Sequence, residues 1–265
     1  MIIDCFTFFN ELDLLDIRLH ELDPWVDRFV LVECPQTYSG NEKPLYFEEN
    51  KHLFEPFLPK ITHLISTPVD NPEADWDGLT AQRDYMLTAL TDCAGDDLIL
   101  NGDLDEIPRG RDFRSIHERH AKRNKDWFTP FIQRNYFFYM NLYRPGGWPG
   151  TVLISYDNIM SIPAFKKSLH TVRLHRRHGG PVRCGWHFSN MGGQEAVKLK
   201  LQSSGHYSTN LSQILIKDPD ALHNRMEVDR AIKGRKLVKE PITEKSHPKW
   251  FVENIEKFKH LITEE

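Results

Sequence analysis

The first hundred residues alternate between short apolar runs and stretches of helical period, and few architectures accept that order. Ile2–Thr7 (IIDCFT) has the length and apolar content of a buried strand. Leu12, Leu15, Leu19 and Leu22 then recur at helical spacing, with Asn10 as the expected N-cap, Phe9 and Leu14 as a hydrophobic staple, and Pro24 as the stop. Arg28–Glu33 (RFVLVE) predicts a second strand and residues 60–66 a third, with mixed loop and helix across 35–59. A long helix is predicted over 74–93 and a short strand over 97–100. Strand–helix–strand order of this kind predicts a mainly parallel sheet with helices on both faces.

The second half reads differently. Residues 127–143 and 151–156 are rich in aromatic and β-branched side chains, which predicts longer, antiparallel strands. Between them, Arg144-Pro145-Gly146-Gly147-Trp148-Pro149-Gly150 predicts a loop. Helical patterns follow at 194–203, 218–233 and 248–262. No repeat and no linker interrupts the chain, so the expected organisation is one α/β domain over 1–205 with a helical extension over 206–265 packed on it.

Composition narrows the function classes. Hydrophobic residues at 40% and charged residues at 27% exclude a disordered chain. Lys and Arg number 34 against 38 Asp and Glu, so no basic field exists to hold nucleic acid or an anionic membrane. Cys5, Cys34, Cys93 and Cys184 lie far apart without a CxxC pair, which argues for reduced thiols over a zinc knuckle or disulfide framework. The apolar start is too short to span a bilayer and lacks a basic flank, so the expectation is a soluble, cytoplasmic chain with no signal peptide or anchor.

Chemistry concentrates at Asn101-Gly102-Asp103-Leu104-Asp105-Glu106-Ile107-Pro108, directly after the strand expected at 97–100. In open α/β sheets, ligands bind at the C-terminal edge of the strands. Three carboxylates within four residues repel one another unless a cation intervenes, and hard oxygen donors suit Mg²⁺ or Mn²⁺ shared with substrate phosphates. A solvated acidic turn is the plain alternative. Arg83, on the preceding helix, fits a pair with Asp103, a contact to a diphosphate, or a surface salt bridge. His187 follows Gly185-Trp186 and precedes a Gly-rich turn; a neutral imidazole there suits either a metal ligand or a structural ring. His170, His175 and His178 with Arg173, Arg176, Arg177 and Arg183 form a basic strip, read as an anion site or as a solvated loop.

These residues resemble family 17 of the glycosyltransferases. The resemblance is carried by Asp4-Cys5-Phe6-Thr7-Phe8-Phe9-Asn10-Glu11-Leu12-Asp13-Leu14-Leu15, by Val32-Glu33 with Thr37-Tyr38-Ser39-Gly40 and Lys43-Pro44-Leu45, and by Gln82-Arg83. It continues through Asp103-Leu104-Asp105-Glu106-Ile107-Pro108 and Gly185-Trp186-His187, covering roughly residues 1–205. It implies a GT-A-type, Rossmann-like mixed sheet flanked by helices, a UDP-sugar donor (UDP-GlcNAc), a glycan or glycoprotein acceptor, a divalent cation (Mn²⁺ or Mg²⁺) and inversion at the anomeric carbon. The chain is shorter than the animal enzymes of that family and shows no N-terminal anchor.

The resemblance also distributes roles. Asp105 is expected on the metal, Asp103 on the ribose and the metal's waters, and His187 as a further metal or diphosphate ligand. Glu33, Phe8 and Asn10, at the ends of the first two strands, are expected near the nucleoside, and Trp148 near an acceptor sugar. Inversion needs a base for the acceptor hydroxyl. Glu195, eight residues after His187 and just past Gly192-Gly193, is the expected base, with Asp157 and Glu106 as rivals. Two other functions compete: a non-catalytic sugar or nucleotide binder on the same scaffold, and a phosphotransferase using the Asp-x-Asp motif.

Overall fold

A computed structural model describes residues 1–69, 77–113, 115–116, 118, 128–177, 180–203, 217 and 237–264. The helix expected over 218–233, the start of that expected over 74–93, and His178 lie outside the described residues.

Alternation along the strands decides where the core sits. In β1 (Ile2–Thr7), β2 (Arg28–Glu33) and β4 (Leu98–Asp103), Ile3, Cys5, Val30, Val32 and Ile99 enter one apolar cluster. Phe6, Phe29, Leu31, Leu98 and Leu100 enter a second cluster on the opposite face. A strand buried on both faces needs helices on both sides. One side is covered by α1 (Leu12–Leu22) and the other by α3 (Asp77–Tyr85), its 3₁₀ continuation Met86–Leu90, and α5 (Leu169–Leu174).

With β3 (Ile61–Ile65), β5 (Glu106–Ile107), β6 (Phe128–Phe137), β7 (Leu142–Ser155), β8 (Val182–Ser189) and β9 (Val238–Lys239), nine strands among the described residues form one sheet. Its order is β3-β2-β1-β4-β7-β6-β8-β5, with β9 added to β7. β1 runs parallel to β2 and β4, and β2 parallel to β3 (Ile61–Ile65). The ends of β1 and β4 therefore meet, Thr7 opposite Asp103. β6 (Phe128–Phe137) and β7 (Leu142–Ser155) are antiparallel, and β7 is antiparallel to β4. The expected α/β class, a mixed sheet flanked by helices, is what forms, and the switch from parallel to antiparallel falls where the composition changes.

The helix expected over 248–262 forms only at Lys249–Glu253, with a 3₁₀ turn at Lys259–Leu261, and three further local expectations change. The strand expected at 97–100 continues to Asp103, because Asn101, Gly102 and Asp103 pair with Cys5, Phe6 and Thr7. The segment 144–150 is a bulged stretch of β7 and not a free loop: Gln133 faces Trp148 and Asn135 faces Arg144, so the extra residues fold out around Gly146 (φ 110°) and Gly147 (φ 71°). Asn10 is not the cap of α1; Glu11 occupies that position, without a side-chain capping bond.

The C-terminal stretch packs on the same core. In α7 (Lys249–Glu253), Trp250 stacks on His20 at 3.6 Å and donates to Asp16 at 2.8 Å, while Phe251, Phe258 and Leu261 join the apolar cluster under α1. Among the described residues no helix is long and apolar enough to cross a membrane.

Candidate active site

The edge where β1 and β4 end opens into a cavity of roughly 320 Å³, lined by Thr7, Phe8 and Glu11, by Arg83, Asp103 and Asp105, and by Trp148, His187 and Lys200. Six of the residues singled out from sequence thus line one cavity: Phe8, Arg83, Asp103, Asp105, Trp148 and His187.

His187 is brought there by a short strand. β5 (Glu106–Ile107) pairs antiparallel with β8 (Val182–Ser189), which sets Glu106 opposite His187. That pairing needs Gly185, whose φ is +83° and whose absent Cβ would lie 2.1 Å from the Ile107 carbonyl oxygen. The Gly-Trp-His motif thus has a backbone reason: the glycine permits the approach, Trp186 fills the core, and His187 faces the cavity.

The carboxylates of the motif have separate environments. Asp103 is clamped: one oxygen accepts from Arg83 and the other from Arg173 at 2.9 Å. Burial alone would raise its pKa, but the two guanidinium groups outweigh burial and hold it well below the usual carboxylate range. Glu106 is fully buried and takes Arg173, the Trp148 indole N–H at 2.6 Å and the Asp103 amide at 3.1 Å. It is a structural carboxylate that shapes the turn.

Asp105 differs. Its Oδ2 accepts from Lys200 Nζ at 3.0 Å, and its Oδ1 lies 3.8 Å from His187 Nε2. His187 Nδ1 faces the Asn135 side-chain oxygen at 3.0 Å, so Nδ1 carries the proton and the lone pair at Nε2 points to Asp105. Trp148 stacks on the ring at 4.5 Å and 15° and fixes its plane. Burial pushes the His187 pKa down, against the pull of Asp105 and Glu106, which keeps the imidazole neutral. Lys200 stays charged because Asp105 and Glu11 overcome the effect of burial.

A divalent cation was expected here, and the donor set can be tested against one. Among the described residues no group of three or more His, Cys, Asp or Glu is arranged to hold a metal. Asp105 Oδ1 and the neutral His187 Nε2 are nevertheless two lone-pair atoms facing each other without a hydrogen between them. Mg²⁺ and Mn²⁺ are ordinarily held by one or two protein groups with the remainder from phosphates and water. The pair fits such an ion. Asp103 also faces the cavity, but each of its oxygens already accepts from an arginine.

Other sequence candidates sit elsewhere. Glu33 is fully buried away from the cavity; its carboxylate accepts from the Phe47 and Glu48 amides at 3.2 and 3.1 Å, capping α2 (Tyr46–Asn50), and meets His63 Nε2 at 2.9 Å. Asn10 does not line the cavity, and its amide donates to Glu11 at 3.2 Å. Glu195 is exposed in the first turn of α6 (Gly193–Ser203), outside the cavity lining, and Asp157 is exposed at the start of α4 (Tyr156–Ser161).

Three important residues were not singled out individually. Arg173, read only as part of a basic strip, is 1% exposed and ties Asp103 to Glu106. Arg18 binds both oxygens of Asp4 at 2.8 and 2.7 Å and donates to the carbonyls of Asp103, Leu104 and Glu106, holding the acidic turn from below. Its signal was legible, since it stands between Leu15 and Leu22 on the apolar stripe of α1 and a charge there must be buried and paired. Lys200 carried no such signal, being one of two lysines, with Lys198, on an amphipathic helix.

Comparison with known proteins adds three findings. Residues 1–119 match the family described as glycosyltransferase family 17, the family whose resemblance the sequence motifs carry. Among curated relatives, the β-1,4-mannosyl-glycoprotein 4-β-N-acetylglucosaminyltransferases of Mus musculus and Homo sapiens are each 28% identical over 223 residues, covering 78% of this chain and 39% of theirs. The chain thus spans about two fifths of the length of those relatives. Among solved structures, it is similar to a mannosyltransferase from Pyrobaculum calidifontis in complex with GDP-Man and Mn²⁺ (TM-score 0.44, 11% identity, 87% of this chain and 70% of that one). It is also similar to mouse xyloside xylosyltransferase 1 in its apo form (TM-score 0.36, 11% identity, 66% and 73%).

Proposed function

We propose that this chain is a metal-dependent, inverting GT-A-type glycosyltransferase that moves N-acetylglucosamine from UDP-GlcNAc to a hydroxyl of a glycan or glycoprotein, forming a β linkage. The observation that carries the reading is the approach of His187 Nε2 to Asp105 Oδ1, 3.8 Å apart in the lining of a cavity at the C-terminal strand edge. The donor sugar and acceptor class follow the relatives' names.

A bound Mn²⁺ or Mg²⁺ would neutralise the departing diphosphate, and Asp105 and His187 are the residues that would hold it. The other side chains supply position and charge. Asp103, fixed by Arg83 and Arg173, presents the carboxylate edge expected to meet the ribose, and Phe8 lines the cavity beside it. Trp148 and Asn135 keep the His187 ring oriented and its Nε2 unprotonated. Glu195 is proposed as the base. It stands in the first turn of the helix that carries Lys200, exposed to solvent from which an acceptor glycan would arrive. Glu11, a carboxylate inside the cavity, is the rival to test. A phosphoaspartyl route through Asp103 is disfavoured, since both of its oxygens are held by guanidinium groups.

The test is nucleotide release. The protein is incubated with UDP-GlcNAc, other UDP-sugars and GDP-mannose, in Mn²⁺ or in EDTA, and the freed nucleotide is quantified by chromatography. Slow hydrolysis of UDP-GlcNAc that stops in EDTA is expected. A melting-temperature shift with UDP-sugars but no release would leave a binding protein, and release undiminished in EDTA would remove the metal from the mechanism.

A further inference from the structure

Lys200 is the one cation among the described residues that contacts Asp105 through a hydrogen bond, and its contacts assign it more than a structural role. Its Nζ lies 3.0 Å from Asp105 Oδ2 and 3.6 Å from Glu11 Oε1, bridging the acidic turn and the loop after β1. The Lys200 side chain is 38% exposed, whereas the Asp105 carboxylate it neutralises is 11% exposed. Two residues along, the Gln202 carbonyl accepts from Ser39 Oγ at 2.7 Å, so α6 is docked on the opposite loop independently of the lysine.

The chemistry of the two clamps differs in kind. Asp103 is held by arginines 7% and 2% exposed, whose planar forks are locked by burial. Asp105 is held by a single ammonium on a flexible stem that reaches it across the cavity. A cation entering between Asp105 and His187 would bring a second positive centre to one carboxylate, an arrangement that repels Lys200. A diphosphate carries charge enough to accept both cations, and Lys200 and Asp105 both line the cavity that would receive it.

We propose that Lys200 is an exchangeable internal counter-ion: it neutralises Asp105 and Glu11 until a nucleoside diphosphate enters, then transfers its ammonium to the diphosphate and leaves Asp105 to the divalent cation. Lys200 is thereby a ligand of the leaving group, and binding of cation and nucleotide is coupled through it. This inference rests on the transferase reading and deepens it.

The experiment is calorimetric titration of the full chain and of Lys200→Met, with Mn²⁺ alone and with UDP at saturating Mn²⁺. The two affinities should move in opposite directions. Mn²⁺ alone binds about tenfold more tightly to Lys200→Met, because its competitor at Asp105 is gone, and UDP binds about tenfold more weakly, because a charged partner of the phosphates is lost. Lys200→Arg, which keeps the charge, should bind UDP within about threefold of the parent chain and serves if the Met variant folds poorly; a comparable loss of UDP affinity in Arg would overturn the proposal. Equal affinities in parent and Met variant, or loss of both together with a lowered melting temperature, would also overturn it while sparing the transferase reading. Failure of the parent chain to bind either Mn²⁺ or UDP would sink both.

Discussion

The two sides of the acidic turn are built on opposite plans. On one side Glu106, Arg173, Arg83 and Arg18 are buried and hold Asp103, whose carboxylate is 34% exposed at the cavity, and each carboxylate is matched to guanidinium or backbone donors. On the other, Asp105 meets a neutral ring and a lysine that reaches in from a separate helix. Buried charge pairs contribute little net stability, but breaking one leaves a stranded charge in low dielectric. Exposed or exchangeable pairs cost little to break and are free to change partners. Rigidity on the Asp103 side therefore supports chemistry on the Asp105 side, and substitutions should separate the two.

The largest expected effect is on activity at the open side. Asp105→Asn should reduce nucleotide release about a thousandfold while shifting stability by no more than about 1 kcal/mol, read by pairing a turnover assay with urea unfolding. A loss of fold in this variant would erase the contrast. Next comes the clamp: Arg173→Met strands Glu106 and leaves Asp103 with Arg83 alone, and should cost about 3–5 kcal/mol of stability, measured as a lower urea midpoint. Near-parent stability there would show the network to be dispensable.

The base test sharpens the same division. Glu195→Gln should lower transfer to acceptor about a hundredfold or more with UDP affinity unchanged, since only proton removal is damaged. If Glu11→Gln shows that signature and Glu195→Gln does not, the base lies within the cavity.

The smallest effect concerns pH. An imidazole ordinarily titrates near about 6.5, but burial pushes the His187 pKa lower. A neutral ring thus persists below pH 6.5 in the folded chain, while the unfolded chain takes up its proton there. The stability contributed by the neutral ring is full above 6.5 and is lost as pH falls from 6.5 toward the lowered value. The slope is at most about 1.4 kcal/mol per pH unit, and His187→Gln should flatten it in urea titrations between pH 5 and 7. An unchanged slope would mean the ring is not held neutral by its surroundings.

Local pattern made much of this legible. β2 matches the bounds expected from its apolar run, and the edge that carries the candidate site was readable because the acidic motif follows the buried run of β4. The Gly185-Trp186-His187 motif stood out, although its reason, a strand pairing opposite Glu106, lies 80 residues away in sequence. The Gly- and Pro-rich segment at 144–150 misled, because its residues favour turns and only pairing with β6 turns them into a bulge.

What the sequence determined on its own was periodic or contiguous: the alternating elements, the two-faced strands, the acidic motif and its position at a strand end. Tertiary structure alone decided which charges share a site. Glu33 looked like a ligand for the nucleoside and became the cap of α2; Arg173 looked like part of a solvated strip and became the buried link between two carboxylates. Periodicity reports which face of an element is buried, whereas the partner of a buried charge is set by contacts between elements remote in sequence. Asp103 and Asp105 are two residues apart, and only the fold gives one a pair of arginines and the other a histidine and a movable lysine.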